Sequence, residues 1–143
     1  QKQVLDGDSG YMVAQGQRKD LSPEEVAKIK EESAAFPELN YLAAGDVTLE
    51  GIEPVGDKKA YKLKISDDKT AFYDVETGFK IQEVNSQEVQ GQQMTSTLGY
   101  GDYQEVSGIK FPFMIMQSMG PQNMEFIVKE IKVNEGVDAS DFK

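Results

Sequence analysis

Two stretches of this chain place carboxylates or glycines at spacings that other proteins use for chemistry. Asp6-Gly-Asp8-Ser-Gly10 opens like a calcium loop, in which alternate residues supply oxygen ligands. Gly10 then holds the fifth position, where a ligand is needed, and the twelfth position is Gln17 instead of Glu. The stretch reads as a hairpin turn. Gly99-Tyr-Gly101-Asp-Tyr-Gln104 begins like a dinucleotide fingerprint, but the third glycine is missing and no βαβ pattern surrounds it. Acidic pairs occur at Glu24-Glu25, Glu31-Glu32 and Asp67-Asp68. None is bracketed by apolar residues that would desolvate one partner and separate the two pKa values. They read as turn and helix-surface charges.

The missing residue types narrow the chemistry further. The 143 residues include no Cys and no His. Thiolate nucleophiles, disulfides and cysteine zinc sites are therefore excluded, and so is the imidazole that most often serves as base or zinc ligand. A Ser nucleophile would need a Lys or carboxylate base, a minority arrangement. Fifteen Lys plus Arg against twenty-five Asp plus Glu give a net charge of −10. Arg18 is the only arginine. No cluster of positive charge is present to follow a phosphate backbone, so nucleic acid is not an expected partner. No run of about eighteen apolar residues marks a membrane-spanning helix. The start at Gln1, without an initiator Met and already in a strand-like pattern, reads as a mature protein or an excised piece of a longer one.

One helix is expected from Ser22 to Phe36. Ser22 is the N-cap, Pro23 the first helical residue, and Glu25 completes a Ser-x-x-Glu capping box. Val26, Ile29 and Phe36 form a narrow apolar stripe, and Pro37 disfavours helical geometry at Phe36. Nearly everything else reads as strand. Val4-Leu5 and Tyr11 to Val13 flank the Asp6–Gly10 turn. Tyr61, Leu63 and Ile65 alternate with Lys62 and Lys64. Thr70 to Val75 leads through Asp74-Val-Glu-Thr-Gly78, where Gly78 can take the left-handed conformation of a hairpin loop, to Phe79 and Ile81. Met94 to Tyr100, after a turn at Gly91, makes the next strand and Ile109 to Ile115 another. Met124 to Val133 is the last, with a bulge expected near Val128 and Lys129. Short connections make neighbours antiparallel.

The methionines are the one unusual apolar feature. In Phe113-Met-Ile-Met116 both faces of a strand are apolar, Met119 and Met124 flank the next turn, and Met94 lies on a neighbouring strand. Met is flexible and polarizable and suits surfaces that accommodate varied apolar partners. A sheet covered on both faces would explain the same pattern. Alternation prevents Met114 and Phe113 from sharing a face. The methionine set is assigned to a groove, with Phe111 and Phe113 as core anchors.

The order of these parts resembles a known family. Asp6-Gly-x-x-Gly-Tyr11, the Ser-Pro-Glu-Glu helix, Tyr73-Asp-Val-Glu-Thr-Gly78, Tyr103-x-x-Val-x-Gly-Ile-Lys-Phe-Pro112 and Ile131-Lys-Val-Asn134 ending at Asp141-Phe142 are similar to the lipoprotein-carrier fold of the LolA/LolB-like half-barrels. The likeness is greatest to the version in envelope proteins of the Bacteroides group. There the domain stands alone or follows M16-type zinc peptidases. The resemblance implies a curved, unclosed antiparallel barrel whose concave apolar face shelters acyl chains of lipoproteins. Family carriers begin with a helix and strands that have no counterpart before Gln1. The peptidase His-x-x-Glu-His motif has no place in a chain without His.

The reading is therefore a mostly β (α+β) protein. A curved antiparallel sheet forms an unclosed half-barrel with one helix as lid. The 143 residues make a single LolA-like domain, a fragment lacking the first helix and strands. Its expected function is non-catalytic binding of an apolar, acyl or lipoprotein-type ligand in the periplasm or cell envelope. The candidate ligand-binding residues are Met94, Met114, Met116, Val26, Ile29 and Phe36, and no catalytic residue, metal or cofactor is expected. The alternative is a solid accessory domain attached to an M16-type peptidase. An exposed strand edge is expected to form a homodimer.

Overall fold

The computed structural model describes residues 2–33, 36–41, 47–89, 92–133, 135, 136 and 138. The expected turn at Gly91 and the family-like residues Asn134, Asp141 and Phe142 lie outside these, as do the side chains of Glu31 and Glu32. The chain forms two compact units, Gln1–Asn40 with Asn134–Lys143, and Tyr41–Val133.

In the first unit, β1 (Lys2–Asp6), β2 (Ser9–Ala14) and β3 (Gln17–Asp20) form an antiparallel meander. The first hairpin closes through Gly7, with Val4 opposite Tyr11. Glycine is required at position 10: a Cβ there would sit 2.6 Å from Leu5 Cδ2 and 2.8 Å from the Val4 carbonyl oxygen. The close approach lets Leu21 N–H donate to the Gly10 carbonyl at 2.9 Å, tying the helix entrance to β2.

Helix α1 (Pro23–Glu32) begins with the expected reciprocal cap. Ser22 N–H donates to Glu25 Oε2 at 2.8 Å, and Glu25 N–H donates to Ser22 Oγ at 3.3 Å. The Lys19 ammonium 2.7 Å from Glu25, with that backbone bond, lowers the Glu25 carboxyl to about 2. The helix ends earlier than expected. The last described rung is Ser33 N–H to the Ile29 carbonyl at 2.8 Å, an ordinary helical bond whose acceptor the Ser33 hydroxyl shares. Phe36 therefore lies beyond the helix and is 40% exposed. Val26 is buried and Ile29 half-buried, so the apolar stripe is shorter still. Within its unit, α1 packs against β2.

The second unit is a seven-stranded meander. Its strands are β4 (Thr48–Val55), β5 (Lys58–Lys64), β6 (Lys69–Asp74), β7 (Lys80–Val89), β8 (Gln92–Val106), β9 (Ile109–Met119) and β10 (Gln122–Ile127). Their order in the sheet is their order in the chain, all pairs are antiparallel, and β4 and β10 are the edge strands among the described residues. The protein is thus mostly β, with antiparallel, curved sheets not closed into a barrel. No helix among the described residues is long and apolar enough to cross a membrane.

Two departures from the sequence pattern have visible causes. Strand β4 was not expected, because a bulge at Glu50 breaks the alternation between Leu49 and Ile52. The last strand was expected to reach Val133 but ends at Ile127. The Val128 N–H donates to the Phe113 carbonyl as the final rung, so the change of phase there marks the end of the ladder, not a bulge inside it.

The β6–β7 hairpin is closed by a buried carboxylate. Asp74 accepts from Lys58 Nζ at 2.8 Å, Thr77 Oγ1 at 3.0 Å and Glu76 N–H at 3.1 Å. The Lys58 ammonium, followed by the backbone donor, holds its carboxyl below the ordinary Asp value. Gly78 supplies the left-handed residue, with φ 73°.

Ser22→Ala is expected to destabilise the protein by roughly 0.5–2 kcal/mol, read as a lower denaturant midpoint with an unchanged slope. An unchanged midpoint would show that the cap contributes nothing.

Candidate functional site

Directly opposed residues on neighbouring strands share a face of a sheet, so the register sorts every side chain of the second unit. One row crosses all seven strands: Leu49, Leu63, Ala71, Glu83, Leu98, Gln117 and Met124. The adjacent row on the same face joins Ile52, Tyr61, Tyr73 and Lys80, and farther along Tyr100, Ile115 and Phe126. The opposite face carries Lys62, Phe72, Gln82, Gly99, Met116 and Glu125 in one row and Lys64, Thr70, Val84, Thr97, Ser118 and Asn123 in another. One face is predominantly apolar and the other predominantly polar.

The centre of the apolar face is covered, with Ala71 0% and Glu83 6% exposed, while its margins are open. Leu49, Ile52, Tyr61, Met94, Met124 and Phe126 all belong to it and all are exposed, Leu49 to 60% and Phe126 to 48%. They fall in separate groups, Leu49, Ile52 and Tyr61 on β4 and β5, Met124 and Phe126 on β10, and Met94 near the start of β8. Exposed apolar residues that cluster at a sheet edge are of the kind that marks binding surfaces.

The expected methionine set is divided by this register. Met94 lies opposite Gln87, two residues before Ser96 on the face of Met119, Ile115 and Phe113. Met114 and Met116 point the other way, opposite Gly101 and Gly99. A Cβ on Gly99 would be 3.4 Å from Met116 Cε, and one on Gly101 would be 2.8 Å from Met114 Cε. The two methionines therefore lie over the glycines and fill the space that missing side chains leave. Phe113, assigned from sequence to the side away from the groove, shares the apolar face with Met94. Val26, Ile29 and Phe36 belong to the other compact unit.

Sequence reasoning missed several members of the apolar face. Leu49 and Ile52 were hidden by the Glu50 bulge, and Phe126 was read only as part of a long strand. It also missed a polar cluster set within that face. The Glu83 carboxylate, on a residue only 6% exposed, lies 3.2 Å from Lys69 Nζ and 3.5 Å from Lys80 Nζ, and accepts from Asn85 Nδ2 at 3.0 Å. Lys69 and Asn85 are register partners, and Lys80 Nζ stands 5.1 Å from the Tyr100 ring centroid. A buried carboxylate is costly unless paired and hydrogen-bonded, and here it is both. No sequence signal marks Glu83, because its partners come from two strands and a β-bulge between Phe72 and Tyr73 shifts the register.

The first unit has a separate open hollow of about 430 Å³, lined by Val4, Asp6, Tyr11, Arg18, Asp20 and Leu21 among others. Arg18 lies 3.9 Å over the Tyr11 ring and binds Asp20 at 3.0 Å, and at the rim Lys30 binds Asp8 at 2.7 Å. Its Arg18 and Asp8 charges are thus already engaged within the protein. Among the described residues, no three carboxylates converge to hold a metal ion.

Neither a family model nor a curated protein matches this chain. Among solved structures, the chain is similar to a LolA superfamily protein from Nitrosomonas europaea, with a TM-score of 0.51 at 13% identity. The fold is LolA-like. The likeness covers 91% of this chain and 66% of that one, so this chain spans just under two thirds of its neighbour's length.

The Asp6–Gly10 turn is expected to bind no calcium or zinc stoichiometrically, since Asp8 is held by Lys30 and the loop lacks its fifth and twelfth ligands. Calorimetric titration checks this. A tight one-to-one calcium isotherm abolished by Asp8→Ala would overturn it.

Proposed function

We propose that this chain is a non-catalytic module of the cell envelope that binds an acyl chain or similar apolar ligand on the exposed face of its seven-stranded sheet. The observation that carries this reading is the set of exposed apolar residues on one face of the sheet, Leu49, Ile52 and Tyr61 toward one edge and Met124 and Phe126 toward the other. The LolA-like fold supports it. So does the absence of Cys and His, which removes the commonest nucleophile and base. The competing reading is an accessory domain of an M16-type zinc peptidase, with a core filled by its own side chains and no ligand.

Met94 and Met116 provide a matched test, being 39% and 45% exposed on opposite faces. A fluorescent fatty acid is expected to bind the wild-type chain. Met94→Lys is expected to weaken binding roughly tenfold or more, because it places a charge in the apolar contact, while Met116→Lys leaves binding unchanged. Equal effects of the two substitutions, or no binding by the wild-type chain, would favour the accessory-domain reading.

The second element of the proposal is self-association through β10. Every residue of this edge strand is exposed, and it carries Met124, Phe126 and Ile127. Exposed strand edges recruit further strands. Sedimentation at micromolar concentration is expected to show a dimer that Glu125→Pro dissociates, since proline removes a backbone donor. A monomer in the wild type would exclude edge pairing.

A further inference from the structure

We propose that a second copy of this chain pairs antiparallel along β10 in one register, with Phe126 opposite the partner's Phe126 on a two-fold axis. The inference rests on the self-association reading and specifies how the copies join. It is carried by a difference between the two edge strands. Val128 N–H donates to the Phe113 carbonyl, so Val128 is turned toward β9, and Phe126, Met124 and Gln122 follow by alternation. Asn123, Glu125 and Ile127 therefore direct their backbone donors and acceptors to the outer edge. On β4 the arrangement differs. The Lys59 carbonyl accepts from Val75 N–H, so Lys59 is turned away from β4 and its register partner Pro54 faces outward. Proline brings no donor to that edge, and the bulge at Glu50 interrupts its spacing. Natural sheets use both devices to prevent edge pairing. Strand β10 has neither between Gln122 and Ile127. A β10-to-β4 chain of copies is thus disfavoured, and a closed two-fold pair through β10 is left.

Side-chain chemistry selects the register. Outward-turned residues must oppose each other, which places the two-fold axis on a residue and not between two. With Glu125 on the axis, two carboxylates would stand directly opposite, a destabilising pair. With Met124 on the axis, Phe126 would oppose the partner's Gln122. With Ile127 on the axis, most of the pairing would fall beyond the end of β10. With Phe126 on the axis, two aromatic rings meet in a non-hydrogen-bonded pair, the closer of the two kinds. Met124 then opposes the partner's Val128, and Glu125 the partner's Ile127. Phe126 and Met124, 48% and 45% exposed in one copy, each gain an apolar neighbour from the other. Their face continues unbroken from one seven-stranded sheet into the next.

The chain has no Cys, so single introduced cysteines report the register without background. A residue on the axis and its copy have Cα atoms about 4.5–5.5 Å apart, within reach of a disulfide. One residue away, a side chain and its copy are offset by two positions, about 7 Å along the strand, which puts them beyond that reach. Met124→Cys, Glu125→Cys, Phe126→Cys and Ile127→Cys are compared under diamide at micromolar concentration. Phe126→Cys is expected to give a disulfide-linked dimer on a non-reducing gel, with cross-linking lost in the other three. Because that variant also lacks the ring, Glu125→Gln supplies a second reading. It is expected to keep the wild-type dimer dissociation constant in sedimentation, since no charge opposes Glu125 in this register. A dimer locked by one of the other cysteines instead, or tightened by Glu125→Gln, would overturn the register and leave self-association intact. A wild-type monomer, or a wild-type dimer that none of the four cysteines locks, would overturn both.

Discussion

The antiparallel register of the seven-stranded sheet is the constraint on which the rest of the second unit depends. Each strand is joined to the next by a short connection, so every ladder inherits its phase from its neighbour. Two bulges, at Glu50 and between β6 and β7, adjust that phase without reversing it. Leu49 in the first strand and Met124 in the last consequently face the same way. A slip of one residue in any ladder would turn the strands beyond it over and divide the apolar face.

That face is only partly reimbursed by burial. Among the described residues Ala71 is the buried apolar side chain of that face; Ala60 and Phe72 are buried on the opposite face, and no large side chain is fully enclosed. The hydrophobic effect stabilises a sheet in proportion to the apolar area removed from water. Leu49, Ile52 and Phe126 remain largely in solvent, so much of that stabilisation is left to whatever covers them.

The two buried carboxylates show how local and long-range polar contacts differ in role. Asp74 is satisfied mainly by its own hairpin, through Glu76 N–H and Thr77 Oγ1, with Lys58 contributed by the neighbouring strand. It belongs to the turn and needs little besides the turn to form. Glu83 draws Lys69 from another strand and Lys80 and Asn85 from its own, and lies in an otherwise apolar row. Such a group contributes little net stability compared with an apolar residue of similar volume.

Local features of the sequence were sufficient wherever the deciding interactions lie within a few residues. The Ser22–Glu25 cap, the Asp6–Gly10 turn and the Asp74–Gly78 hairpin are all of this type, and alternation at Tyr61 to Lys64 and Ile109 to Ile115 located strands correctly. The same reasoning extended α1 to Phe36, because an apolar stripe does not mark where a helix stops. Strand β4 was hidden because a bulge destroys the period on which recognition depends. Which methionines share a face was beyond the sequence altogether. Met94 and Met116 each sit in a plausible strand, but their relation is set by a register that runs through the β8–β9 ladder, and only the fold shows that Gly99 and Gly101 lie beneath Met116 and Met114. The polar cluster at Glu83 is likewise a product of three strand positions brought together by pairing. Residue types alone determined that thiol and imidazole chemistry is absent, since those groups are not in the chain. Tertiary structure decided which apolar residues form one surface, because face membership is a property of strand pairing and not of any single strand.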